Sequence, residues 1–334
     1  MSGPWRITFD TNPDDCNRHC TMCEQFSWAS PHQRARRQAG LPPRRMPFEL
    51  LERVVRECQP HGLREIIPST MGEPLLYRDF KRIIVLCRET GVLLNLTTNA
   101  SFPRLGAERW AELVVPVTSD VKFSWNGATQ VTQESIMVGS SYPQGLAGIR
   151  DFVRVRDAWA AEHGHRCSLT LQLTFLESNV DELVGMVRLA ADLGLNRVKG
   201  HHVWTHFDHL RALSMRRDGE AIAHWNRVAG EAIEVAAALG LRLDNVHPLA
   251  PEATEDLDPE ATCPFLDHEA WVDPEGRFHP CCAPDEQRRA LGDFGTVHGQ
   301  GLLAIWRSEP YRELVRSHRD HPLCRSCNMR RREI

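Results

Sequence analysis

Cys16-Asn17-Arg18-His19-Cys20-Thr21-Met22-Cys23 sets three thiols in the spacing C-x3-C-x2-C, and the residues around it decide what it does. The stretch just before it, Trp5–Asp10, alternates apolar and polar residues and reads as a strand that ends in the cysteine loop. Such a loop can wrap one compact metal site. A 4Fe-4S cluster takes four ligands, so three thiolates leave one iron open to a substrate or cosubstrate. A zinc site completed by His19 or by a more distant residue is the alternative reading of the same spacing.

Outward from this loop the chain alternates strand and helix. Arg64–Pro68, Val92–Thr98, Val121–Trp125, Cys167–Leu176 and Asn196–Val203 read as strands, with Leu241–Asn245 adding a further one. Met46–Cys58, Tyr77–Glu89 and the stretches near 144–162, 180–193 and 217–239 carry helical spacing, with Gly194 and Gly240 placed as stops. About six strand–helix repeats predict an α/β fold with a parallel sheet, and we expect a partial (β/α)6 TIM-like open barrel rather than a doubly wound sheet. The expected domains are a barrel over 1–247, a Pro- and acid-rich linker over 248–262, and a small cysteine-bearing appendage over 263–334. No internal repeat is visible.

The 334 residues are 42% apolar and 25% charged, the composition of a globular protein with a sizeable core. No uninterrupted apolar run is long enough to span a membrane, and the first ten residues do not read as a leader, so a cytoplasmic protein is expected. A formal net charge of −4 gives no overall basic field for nucleic acid; only the Arg-rich run from His32 to Arg45 is locally positive, and it reads as a solvated loop. Neither a nucleic-acid nor a membrane partner is expected. Eleven cysteines, three within 16–23 and five within 263–327, favour metal binding over disulfides in such a protein.

CNRHCTMC resembles the signature of the radical S-adenosylmethionine (SAM) family, in which the open iron is chelated by SAM, and Met22 fills that signature's apolar position. The resemblance extends to Met71-Gly72-Glu73-Pro74 after the second strand, where it implies that Gly72 and Glu73 receive the methionine amino group. It extends also to Asn99 after the third strand and to Ser124-Trp125-Asn126-Gly127 after the fourth. These lie at C-terminal strand ends, where barrel folds collect their chemistry. In the fifth strand Ser168, Thr170, Gln172 and Thr174 alternate with apolar residues. A polar face inside the barrel makes Gln172 and Thr174 candidate SAM contacts, unless the strand is simply half exposed to water.

Cys263, Cys281, Cys324 and Cys327, with the DPEG turn at 273–276, Leu291-Gly292-Asp293 and Ile305-Trp306, resemble the twitch or SPASM appendages of the same family. Four thiolates suit one auxiliary 4Fe-4S cluster; a zinc ribbon needs the same four, and Cys282 competes with Cys281 as ligand. The implied cofactors are two 4Fe-4S clusters and SAM, with an external low-potential donor such as flavodoxin or ferredoxin. By that resemblance the expected reaction abstracts hydrogen from a secondary alcohol carbon of an aminoglycoside- or aminocyclitol-type sugar and oxidises it to a ketone. Epimerisation of such a sugar, or modification of a peptide, is the alternative. Cys58, Cys87 and Cys167 sit at core spacing, so no thiol stands out as a hydrogen donor, which favours oxidation. His202 and Asp244 are the candidate proton acceptors, beside His201, His206, His209 and His247, with Lys199 and Glu177 as further substrate contacts. A non-catalytic iron-sulfur sensor or carrier is the rival class, and it would have no use for SAM.

Overall fold

The structure, a computed structural model, describes residues 2–330 except 70, 206, 251–261, 326 and 328, and the side chain of residue 286. Most of the expected linker, and His206, therefore lie outside the described residues. In chain order the strands are β1 (Arg6–Phe9), β2 (Glu65–Ile67), β3 (Leu93–Thr98), β4 (Thr118–Ser124), β5 (Ser168–Phe175), β6 (Arg197–His202), β7 (Arg242–Asp244), β8 (Glu269–Val272) and β9 (Phe278–His279). The helices used below are α1 (His32–Gln38), α2 (Phe48–Cys58), α3 (Phe80–Thr90), α4 (Ala107–Val114), α5 (Gln130–Ile136), α6 (Tyr142–His163), α7 (Leu183–Asp192), α8 (Asp208–Arg211), α9 (Gly219–Ala238) and α10 (Asp285–Arg289).

The seven strands expected from the pattern all form, and α6, α7 and α9 match the expected helical stretches to within a few residues. Their cause is local. In α2, Leu51, Val54, Val55 and Cys58 recur at helical spacing and are wholly buried, while the remaining face stays polar. Leu193 caps α7 and Leu239 caps α9, and the next residues, Gly194 and Gly240, take the left-handed backbone that ends both helices.

The chain divides into two compact units, one of residues 1–15, 43–95 and 254–334 and the other of 16–42 and 96–253. In the first, β1 pairs in parallel with β2 on one side and β8 on the other, β2 pairs with the start of β3, and β9 runs antiparallel to β8. The expected boundary at 247–263 thus differs from the compact units: β8 lies in register along β1, Arg6 opposite Glu269. All four β8 residues are buried, and Arg6 ion-pairs with both Glu65 and Glu269, so β8 covers an edge that β1 would otherwise expose. In the second unit β4, β5, β6 and β7 pair in parallel in that order. No helix among the described residues is long and apolar enough to cross a membrane.

Candidate active site

The cysteine loop is fixed on the side of each unit by contacts that do not involve its thiols. In the first unit Asp14 accepts from Arg44 Nε and Nη2 at 3.0 and 2.9 Å and from its backbone N at 2.7 Å, and Asp15 is held likewise by Arg45. Two arginines of the run expected to be a solvated loop therefore act as bidentate clamps, and His32–Gln38 of that run is helical. In the second unit His19 N donates to Val138 O and Thr21 N to Ile136 O, each at 2.9 Å. Cys20 and Met22 pack on Ile136, Met137, Leu176, Val203 and Leu210. Asn99 Nδ2 lies 3.8 Å from Cys16 Sγ and 2.9 Å from Asn17 Oδ1.

These thiols are charged with difficulty on their own. Burial pushes the Cys20 thiol up, and the neighbouring charges of Cys23 and Cys16 push it further; Cys23 is also raised by burial, eased by N–H donors that include Phe26 N at 3.4 Å from Sγ. A cationic metal group stabilises the thiolate form that burial and neighbouring thiols oppose at Cys20 and Cys23. Among the described residues no three His, Cys, Asp or Glu side chains are drawn together as ligands of one ion; the donor set and its spacing, rather than a preformed ion cage, fit a multinuclear cluster.

Gly72 has φ 80° and packs so tightly that a Cβ there would stand 2.3 Å from Asn12 O and 2.8 Å from Asp15 O. Only glycine fits, as a close backbone approach requires. Glu73 N donates to Asp15 O at 2.8 Å and Asn12 Nδ2 to Glu73 O at 2.9 Å, tying this turn to the residues that lead into Cys16. The buried Glu73 carboxylate caps the short turn Pro74–Leu76 through Leu75 N at 3.2 Å.

The C-terminal thiols of Cys263, Cys281, Cys324 and Cys327 repeat the same electrostatics within the first unit. Burial raises all four, to about 12 for Cys281 and Cys324, and Cys281 is raised further by the charges of Cys263, Cys327 and Cys324. Cys282 is pushed well up, first by burial and then by Cys281. The four thiols fit an auxiliary cluster as the first three fit theirs.

In the second unit the strand registers set Ser124 beside Gln172, Gln172 beside Lys199, Thr174 beside His201 and Lys199 beside Asp244. By alternation one face carries Asp120, Lys122, Ser124, Ser168, Thr170, Gln172, Thr174, Arg197, Lys199, His201, Arg242 and Asp244. Gln172 and Thr174 are half-buried between fully buried neighbours, and Gln172 Nε2 lies 3.5 Å from His201 Nδ1. Toward the strand N-termini this face is closed by an ion network: Arg197 bonds Asp120, Thr170 Oγ1 at 3.0 Å and Asp244 Oδ2 at 3.0 Å. Toward the C-termini it presents hydroxyl, amide, amine and imidazole groups.

A family model described as the radical SAM superfamily matches residues 13–190. The chain belongs to the radical SAM superfamily. A second model, an iron-sulfur cluster-binding SPASM domain, matches residues 263–328. Radical SAM domains bind a 4Fe-4S cluster and SAM, and SPASM domains bind auxiliary iron-sulfur clusters, in keeping with both cysteine sets. No curated protein sequence matches the chain. Among solved structures, SuiB of Streptococcus suis bound to precursor peptide SuiA matches at 13% identity and TM-score 0.66, over 95% of this chain and 67% of that one. Native anSMEcpe with bound AdoMet and the Cp18Cys peptide matches at 13% and 0.63, over 94% and 82%. BtrN in complex with AdoMet and 2-DOIA matches at 15% and 0.49, over 98% and 94%. The likenesses to SuiB and anSMEcpe show the fold, a partial TIM-like radical SAM α/β core with a C-terminal SPASM domain.

The structure of this radical SAM protein sets the two expected proton acceptors in different surroundings. Asp244 is engaged by two guanidinium groups, Arg197 and Arg242, the latter at 2.9 Å, so its oxygens are taken up in the network that closes the sheet end. His202 falls on the apolar face, its ring against Phe175 and Trp225 with centroids 5.4 and 4.6 Å away, and its buried Nδ1 has no partner among the described residues. His201 takes the polar face instead. The signal was present in Arg197, Lys199 and His201, which share one phase of β6.

Both histidines are held neutral: burial lowers His201 to about 4, with Lys199 adding, and lowers His202 to about 3, with Arg216, His247 and His201 adding. Unfolded, each binds a proton near 6.5, so stability is full above that pH and falls as pH drops toward 4 and 3. Each histidine contributes a slope of up to about 1.4 kcal/mol per pH unit. Urea midpoints at pH 7.5 and 5.5 should separate less in His202→Leu than in the parent; an unchanged separation would show that this imidazole is not held neutral.

Proposed function

We propose that the protein is a radical SAM oxidoreductase that converts a secondary alcohol of an aminocyclitol- or aminoglycoside-type substrate to a ketone. The observation that carries this reading is where the cysteines lie. Cys58, Cys87 and Cys167 are buried in apolar cores at 0%, 3% and 0% exposure, and Cys282 adjoins a cluster thiol. None is placed to return hydrogen to a substrate radical, as an epimerase requires, whereas a second set of four thiols supplies a place for an electron to go.

In this reading Cys16, Cys20 and Cys23 hold the SAM-binding cluster and Cys263, Cys281, Cys324 and Cys327 hold one auxiliary cluster. Bound there, the cofactors supply a deoxyadenosyl radical for hydrogen abstraction and a second redox centre that takes up one electron. Gly72 and Glu73 receive the methionine amino group; Met22, Asn99, Ser124, Gln172 and Thr174 form the remaining SAM contacts. The hydroxyl proton, released as the carbinol radical becomes a ketone, passes to His201, which is neutral and on the polar face. Lys199, on the same face, helps orient the polyol. The setting is cytoplasmic, with an external low-potential donor.

The deciding experiment uses the reconstituted protein, SAM, titanium(III) citrate and an aminocyclitol panel in deuterium oxide. Oxidation gives a product lighter by two mass units with no solvent deuterium at carbon. Uptake of one deuterium at carbon without oxidation would replace this reading with epimerisation, and turnover of a precursor peptide alone would replace the substrate class. His201→Gln should lower turnover about 100-fold while leaving SAM affinity within about twofold.

A further inference from the structure

From Gln25 to Phe48 the chain has no acidic residue and five arginines, in a protein whose net charge is −4. Arg44 and Arg45 are neutralised by Asp14 and Asp15. The other three, Arg34, Arg36 and Arg37, fall on α1, a helix without a single buried residue and without an acid in its first turn. Seven residues with no core face are too few to be held as helix by propensity alone; the ties of α1 include Gln33 Nε2 to Gln25 Oε1 at 3.5 Å and His32 Nε2 3.9 Å from Glu24 Oε1, and its arginines are left over from them. The Arg37 side chain makes no ion pair or hydrogen bond among the described residues, the Arg34 guanidinium bonds the carbonyl of Trp28 at 3.3 Å, and Arg36 Nη2 bonds Pro42 O at 2.6 Å. Trp28 itself is 70% exposed, its ring 5.0 Å from that of His209. Arg34 and Arg37 are exposed and Arg36 half-buried; tryptophan and arginine are among the residues that most often anchor a docked protein, and an ordinary solvated charge run does not carry the first. The patch begins five residues after Cys23 in the chain.

We propose that Trp28 and the arginines of α1 form the docking surface for a small acidic one-electron carrier protein that reduces the cluster at Cys16, Cys20 and Cys23. The inference rests on the radical SAM reading, in which that cluster takes an electron from outside. The surface's positive charge, isolated on a negative molecule, steers an acidic carrier to this face and repels basic ones.

The test compares the parent with Arg34→Glu/Arg36→Glu/Arg37→Glu and with Trp28→Ala, reading methionine release from SAM without substrate. With reduced flavodoxin as donor, the charge-reversed protein should be slower by about tenfold or more, and the parent but not the variant should slow steeply as salt is raised. With titanium(III) citrate both should run at the same rate. Equal flavodoxin rates would overturn the proposal. A matching loss with titanium(III) citrate would make α1 a support of the cysteine loop, and a raised substrate KM with normal electron entry would assign the patch to substrate; either overturns it. If titanium(III) citrate releases no methionine from the parent, the radical SAM chemistry itself is at fault, and calorimetric titration of flavodoxin into parent and variant then decides the surface.

Discussion

Replacing Cys16, Cys20 and Cys23 together by alanine is expected to bring methionine release from SAM to background while leaving about half of the roughly eight irons that two 4Fe-4S clusters provide. The protein should still fold, because the loop is held by groups the substitutions leave intact. Arg44 and Arg45 clamp Asp14 and Asp15 ahead of it, and the backbone bonds of His19 and Thr21 hold its middle. Burial raises the Cys20 and Cys23 thiols, so without a metal group they are neutral and alanine removes no charge from the loop. The companion variant with Cys263, Cys281, Cys324 and Cys327 changed to alanine should lose the other half of the iron, keep SAM cleavage and lose net oxidation of the alcohol. Iron and sulfide analysis, with the electronic absorption of the reduced and oxidised proteins, reads both. One zinc lost in place of about four irons would make the C-terminal set structural and turn the proposed reaction toward a redox-neutral one.

Much of the molecule was written locally. The cysteine triplet, the alternating β5 and the helix stops at Gly194 and Gly240 depend on residues close in sequence, where spacing alone carries the physics. The strand and helix positions followed for the same reason. What could not be read depended on partners far along the chain. Asp244 looked available until Arg197 took it, 47 residues away, and nothing near either residue announces the pair. The phase of His202 is hard to read for a different cause: β6 is Arg-Val-Lys-Gly-His-His, and Gly200 in an apolar position leaves open which of the two histidines shares the face of Arg197 and Lys199. In the structure a Cβ at Gly200 would lie 2.1 Å from the edge of the Phe175 ring, so this position packs on the apolar face, and alternation puts His202 on that face and His201 on the polar one. The Arg-rich run was misread because helix α1 has no apolar stripe, the one feature by which a short helix can be seen in sequence.

Arg288→Met should destabilise the protein by about 3–5 kcal/mol, although Arg288 ligates nothing. Its guanidinium is 3% exposed and bonds Asp10 at 3.0 Å, with Asp285 on the same Nη2; Asp10 is 6% exposed. Burial works against the charge, but Asp10 and Asp285 outweigh it and hold the guanidinium firmly protonated, with Cys281 adding. Methionine fills the space but takes the guanidinium away from the buried Asp10 carboxylate. Asp10 continues the ladder from β1, its N bonded to Val272 O at 2.9 Å, so the penalty falls on the β1–β8 pairing within the first unit. A separation of 278 positions makes the pair invisible in sequence, and its charge balance can be checked directly. If the loss comes from an uncompensated carboxylate, Arg288→Met/Asp10→Asn should recover much of it, because the second change removes the charge that the first exposed. If the double variant is no more stable than the single one, the arginine acts through its packing, and the ion pair contributes little. Urea unfolding of the three proteins, followed by tryptophan fluorescence at one pH, separates these outcomes.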